Sequence, residues 1–176
     1  MKLKSLYLLL FVVLLSSCGM DFMFLFPKEL NSNKTFQSYD TEKGDSLNLK
    51  FVDQNAPDFS YKNGGRTDLE YSIENCFYPN ANGDSLNAWL MRPNGKSNGR
   101  TLFFLHGNAG NIVYQYRLAE PFAKRGFKVF LFDYSEFGFS QGKAKRKNVL
   151  IDANSSLDYL LAKEEFKSEK IIVYGQ

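Results

Sequence analysis

The one histidine of the chain, His106, closes the apolar run Leu102 to Leu105 and opens the sequence His106-Gly107-Asn108-Ala109-Gly110-Asn111. Glycines directly after a strand let the backbone approach a ligand and turn its N–H groups toward it. Two further apolar runs end in residues of interest. Val129 to Phe132 leads into Asp133-Tyr134 and then Phe137-Gly138-Phe139-Ser140-Gln141-Gly142, and Ile171 to Tyr174 leads into Gly175-Gln176. A single histidine limits which catalytic machinery can be complete within the chain. No Cys/His cluster has the spacing of a zinc site. His106-Gly107-Asn108 is not followed by Lys-Ser/Thr, which excludes a phosphate-cradling P-loop. No cofactor or metal is implied.

The 176 residues are 44% hydrophobic, 23% charged and 16% aromatic. That composition is globular, not disordered, collagen-like or polytopic. The length suits one domain that buries about two-thirds of its unfolded surface. The 17 Phe and 10 Tyr would suit an apolar acyl pocket and suit an ordinary core better. The formal charge of +3 includes Lys2 and Lys4; without them 20 basic residues face 19 acidic ones. No basic face for nucleic acid follows. The run 143–147 (KAKRK) reads as a solvated loop.

Lys2 and Lys4 precede ten uninterrupted apolar residues, Leu6 to Leu15. A membrane span needs about 20, so the stretch reads as the apolar part of a secretory signal over residues 1–17. Leu15-Ser16-Ser17-Cys18 resembles a bacterial lipobox, in which the cysteine is acylated and becomes the first mature residue. The expected partner is then membrane lipid held through Cys18, each buried methylene adding about 0.8 kcal/mol. The expected place is the bacterial cell envelope, facing periplasm or exterior. The next apolar run, 22–26 (FMFLF), could dip into the interface, but core packing is the expectation. Cys76, left without a second thiol, is expected to be an inert core residue.

The elements that carry these residues are legible in outline. Residues 18–66 are polar and turn-rich, with a strand candidate at Leu47 to Val52. The pentapeptide Gly-Asp-Ser-Leu-Asn occurs at 44–48 and 83–87 and reads twice as a hairpin turn. Residues 73–78 and 86–91, around Asn80 to Asp84, predict an antiparallel hairpin. From residue 100 the short runs at 102–105, 129–132 and 171–174 are apolar at every position, as in a parallel sheet covered on both faces. Val149, Ala153, Ser156, Leu157, Leu160 and Leu161 share one helical face. A second helix is expected around Val113 to Arg125, kinked or divided by Pro121 and ended by Gly126. The fold class is α/β: an antiparallel hairpin, then parallel β-α-β-α-β over residues 67–176.

These motifs resemble the α/β-hydrolase superfamily, in its serine-aminopeptidase-like and lipase-like branch with the HGNAG sequence; the resemblance covers roughly residues 70–176. It implies that the backbone of Asn108, or of Ala109, supplies one N–H of an oxyanion hole, which lowers an acyl-transfer barrier by about 3 kcal/mol. His106 and Gly107 would shape that loop, and His106 would not be the catalytic base. Relatives read Asp-Tyr-Arg-Gly-Tyr-Gly where this chain reads Asp133-Tyr134-Ser135-Glu136-Phe137-Gly138. Gly175 and Gln176 match the first two positions of the nucleophile elbow Gly-x-Ser-x-Gly. The nucleophile is therefore expected directly after Gln176, and the Asp and His of a triad later still. The 176-residue polypeptide is expected to be the N-terminal part of a membrane-anchored serine hydrolase of small acyl or peptide substrates, and inactive by itself. A non-catalytic surface lipoprotein with a hydrolase-derived fold is the alternative, as is a relative with an Asp or Cys nucleophile. The strand at 171–174 is expected to form an apolar edge that favours aggregation or a partner.

Overall fold

The structure, a computed structural model, describes residues 25–30, 35–40, 45–51, 55–63, 67 and 69–176. The lipobox cysteine Cys18, the expected signal segment and residues 22–24 of the apolar run lie outside the described residues.

Three strands come first: β1 (Thr35–Asp40), β2 (Asp45–Lys50) and β3 (Asp58–Tyr61). They form an antiparallel sheet, β1-β2-β3, with Asp40 opposite Asp45. The hairpin follows as β4 (Tyr71–Pro79) and β5 (Ser85–Pro93), paired from Tyr71↔Pro93 to Pro79↔Ser85. Its turn is closed by Asn80, whose Oδ1 accepts from two backbone donors, the N–H of Asn82 and the N–H of Asp84. Gly83 supplies the left-handed residue, φ +86°.

The remaining strands are β6 (Arg100–Leu105), β7 (Lys128–Phe132) and β8 (Lys170–Gly175), with α1 (Ile112–Lys124) and α2 (Arg146–Ala162) between them. The second sheet has the order β4-β5-β7-β6-β8. β5 pairs antiparallel with β7, while β6 is parallel to both β7 and β8. Alternate side chains enter two cores. Trp89, Met91, Leu102, Phe104, Val129 and Leu131 pack with α1, with Leu47, Leu49 and Phe59 of the first sheet, and with Phe51 just past β2. Ala88, Leu90, Phe103, Phe130 and Phe132 pack with Leu160 of α2 and with Phe166. The polar, turn-rich N-terminal segment thus contributes buried apolar residues to the core under α1.

Three expectations need correction. α1 is not divided at Pro121 but runs through it to Lys124. Proline there removes one backbone bond in the last turn, and Asn111 caps the start by accepting the N–H of Val113 at 3.1 Å. At the far end Gly126, φ +87°, donates to Ala123 O and Phe127 to Phe122 O. The buried stripe of α2 is Asn148, Asp152, Ser156 and Leu160, while Leu161 is 43% exposed. Polar groups fill that stripe because each has a partner: Ser156 Oγ lies 2.7 Å from Tyr78 Oη, and Asp152 takes two donors. Third, β8 lies at the edge as expected but is not covered on both faces, since Val173 and Tyr174 are exposed.

Candidate functional site

β6, β7 and β8 run parallel, so the loops after them gather at one end of the sheet. Ligands of open α/β sheets bind in the crevice at such strand ends. Immediately past β6, His106 is buried. Its Nδ1 is 2.8 Å from Gly107 O, and its Nε2 is 3.3 Å from Oδ1 of Asp133, which follows β7. The ring also packs against Tyr134 and Phe137, at 4.8 and 5.5 Å between centroids. Asp133 Oδ1 accepts the N–H of Ile112, the first residue of α1, at 2.9 Å. A carboxylate suits that position because the helix N-terminus carries partial positive charge. Burial nevertheless pushes the Asp133 carboxyl above the usual carboxylate range, with His106 and the Ile112 N–H pulling the other way.

The loop itself turns on Ala109, left-handed at φ +72°, and Gly110 at φ +88°. The side chain of Asn108 folds back on the loop: its Oδ1 accepts from Ala109 N–H at 2.9 Å and from Phe26 N–H at 2.9 Å. Gln115 Nε2 donates to Ala109 O at 3.3 Å. The end of β8 reaches the same loop. Gln176 N–H donates to Leu105 O at 3.2 Å, and Gln176 Oε1 accepts from Gly107 N–H at 3.3 Å. Of the residues singled out in the sequence, His106, Gly107, Asn108, Ala109, Gly175 and Gln176 are therefore brought together.

The loop after β7 carries Ser135 and Glu136. Glu136 keeps a left-handed backbone, φ +69°, a conformation that glycine adopts without steric cost. Its carboxylate is anchored by Lys143 Nζ and by Ala144 N–H, each at 2.8 Å, and the Lys143 hydrogen bond holds its pKa below the usual range. Ser135 N–H donates to Asp152 Oδ2 at 2.8 Å, which ties the loop to α2.

Sequence reasoning gave no role to Asp133, Asp152 or residues 27–30, and expected only core or interface packing of Leu25 and Phe26 in the strand-like segment Leu25–Leu30. That segment lies across both loops. Pro27 and Glu29 form isolated parallel bridges to Gly110 and Gly138, and Asn111 Nδ2 donates to Lys28 O at 2.7 Å. The only local signal for Asp133 is an acid directly after four apolar strand residues. A separate groove of about 430 Å³ lies between β3 and β4, lined by Pro57, Phe59, Thr67 and Tyr71 among others, and includes none of the loop residues. Among the described residues no group of three His, Cys, Asp or Glu side chains is placed to hold a metal, and no helix is long and apolar enough to cross a membrane.

Comparison with known proteins gives the following. Residues 100–176 match the family described as the alpha/beta hydrolase fold. The chain is 33% identical to YfhR of Salmonella typhi over 76 residues, 43% of this chain and 26% of that protein. It is 27% identical over 109 residues to the alpha/beta hydrolase domain-containing protein WAV2 of Arabidopsis thaliana, 61% of this chain and 35% of that one. The structure resembles the Pyrococcus furiosus esterase Pf2001 with a TM-score of 0.53 and 25% identity, over 61% of this chain and 41% of the esterase. The chain thus spans about a quarter to a third of the length of the curated relatives it matches.

Proposed function

From the α/β-hydrolase fold of residues 100–176, we propose that this chain is part of a membrane-anchored serine hydrolase of ester, thioester or peptide acyl substrates. The observation that carries the reading is the junction of Gln176 with the loop after β6, through Gly107 N–H and Leu105 O. With Gly175 and Gln176 as the first two positions of a nucleophile elbow, a serine directly after Gln176 would emerge beside that loop. Its hydroxyl would attack the acyl carbonyl, and backbone donors would hold the charge that develops on oxygen. The candidate backbone donors are those of Asn108 and Ala109, the latter bonded to Asn108 Oδ1 in this structure. His106 and Asp133 brace the strand ends from beneath, and the general base and its acid partner come later in the intact protein. The likeness to an esterase of known structure supports the ester branch of this reading. Acylation at Cys18 would fix the domain to the bacterial envelope.

A fluorophosphonate probe applied to the intact protein in native membranes tests the proposal. Labelling is expected on a serine in the peptide that begins at Gly175-Gln176. A cysteine in that position, alkylated by iodoacetamide and left unlabelled by the fluorophosphonate, would move the reading to a different nucleophile. Absence of any adduct in a folded protein would favour a non-catalytic surface lipoprotein.

A further inference from the structure

The segment Leu25–Leu30 is held against the loops after β6 and β7 by a run of backbone bonds. Leu30 N–H donates to Gly138 O, Gly138 N–H to Lys28 O, and Phe26 N–H to Asn108 Oδ1. Apolar side chains stand exposed beside it. Phe26 is 55% exposed, Tyr114 46% and Leu118 49%. Tyr114 and Leu118 lie one turn apart on α1 and so share its outward face. Tyr114 is also the nearest neighbour of Gly110, and Lys28 Nζ stands 4.3 Å from the centre of its ring. The expected burial of residues 22–26 therefore fails at Phe26.

We propose that Phe26, Tyr114 and Leu118, with Lys28 among them, form the surface that rests on a lipid bilayer, so that the Asn108 loop opens beside the membrane. The proposal rests on the lipid-anchor part of the reading above. The occupant is lipid for three reasons. Cys18 precedes Leu25 by seven residues, and seven extended residues reach at most about 25 Å, so an acylated Cys18 keeps Phe26 close to the bilayer. The group combines an aromatic ring with a polar tip, two purely apolar side chains and a lysine whose ammonium lies over the tyrosine ring, the chemistry of an interfacial anchor. The lysine also suits the anionic headgroups of a bacterial membrane.

The test uses the acylated protein in vesicles of phosphatidylethanolamine and phosphatidylglycerol that carry doxyl-labelled lipid. An environment-sensitive fluorophore is attached at Leu118→Cys or, as control, at Leu150→Cys, which is exposed on α2 against the opposite core. Both positions are exposed, and the native thiol Cys76 is buried. The expected result is a blue-shifted, doxyl-quenched signal at position 118 and an aqueous, unquenched one at 150. If the protein floats with the vesicles but the label at 118 stays aqueous, the contact surface is wrong and the anchor stands. Equal quenching at both positions also overturns the assigned surface. Failure to float with the vesicles overturns the anchor and this proposal together.

Discussion

A β-carbon on Gly138 would overlap Oδ2 of Asp133. Gly138 also has a left-handed backbone, φ +56°, so a side chain there meets both strain and collision. The carboxylate cannot easily retreat, because its other oxygen holds the first N–H of α1 and faces His106. Gly138→Ala is expected to cost more than about 2 kcal/mol, read as a lowered urea midpoint with the slope unchanged.

Glu136 carries the opposite problem, a side chain where glycine would be relaxed. Left-handed backbone costs a non-glycine residue roughly 1–2 kcal/mol. Comparing Glu136→Ala with Glu136→Gly isolates that cost, since both variants lose the carboxylate. The glycine variant is expected to be the more stable by about 1 kcal/mol, the reverse of the usual order. Equal melting temperatures would show that the loop relaxes without cost.

Asp152 holds two distant donors, Ser135 N–H at 2.8 Å and Asn80 Nδ2 at 2.7 Å, from inside the protein. Asp152→Asn turns one acceptor into a donor facing a donor. The expected loss is about 2–3 kcal/mol in chemical denaturation, and it should exceed that of Ser155→Ala on the same helix. Ser155 makes a single exposed bond, to Ala81 N–H.

Acid should weaken the cluster around Arg92. The Arg92 hydrogen bond holds the Glu165 carboxyl below its usual range. Burial pushes Glu74 upward, but Arg92 and Lys163 outweigh it and leave Glu74 lowered as well. Carboxylates depressed by folding add stability that is complete above their unfolded pKa of about 4.3 and is lost as pH falls through the lowered values. Arg92→Met is therefore expected to flatten the fall in melting temperature between about pH 6 and pH 3. An unchanged acid limb would show that the cluster is fully screened by solvent.

Cys76 is buried, and that burial together with nearby Glu74 pushes its thiol up to about 11. Thiolate, not thiol, reacts with disulfide reagents. At about pH 8 the native protein is expected to react many times more slowly than the protein in denaturant, followed by thiol titration.

The parallel strands and the β4–β5 hairpin were legible because their signals are local. Four apolar residues in a row, or Asn80 to Asp84 between alternating runs, need no knowledge of the rest of the chain. The helix over 146–162 was legible as a helix, and its inward face in part: Ser156 and Leu160 are buried and Ala153 and Leu157 pack against the core, while Asn148 and Asp152 were missed and Leu161 is exposed. Val149, Leu157 and Leu161 outrank Asn148, Asp152 and Ser156 on hydropathy. The partners that let those polar side chains be buried, Lys143 O, Asn80, Ser135 and Tyr78, lie on other segments of the chain. The same limit applies to the loop after β6. Its sequence pointed to backbone donors, but the approach of His106 to Asp133 and the crossing of Leu25–Leu30 are long-range. The exposure of Val173 and Tyr174 on β8 was not legible, because its hydropathy alone resembles that of β7.

The pairing of β8 has a kinetic side. Its residues lie opposite those of β6, from Arg100↔Lys170 to Leu105↔Gly175, with α1, β7 and α2 in between. Closing so long a loop has an entropic cost that must be met before any of these contacts forms. β8 should thus be the last strand to dock during folding and the first to detach. In native-state hydrogen exchange, its amides should open at lower free energy than those of β7, which has a neighbour on either side. Gly175, and Gln176 just past it, would then ride on an edge strand of the sheet.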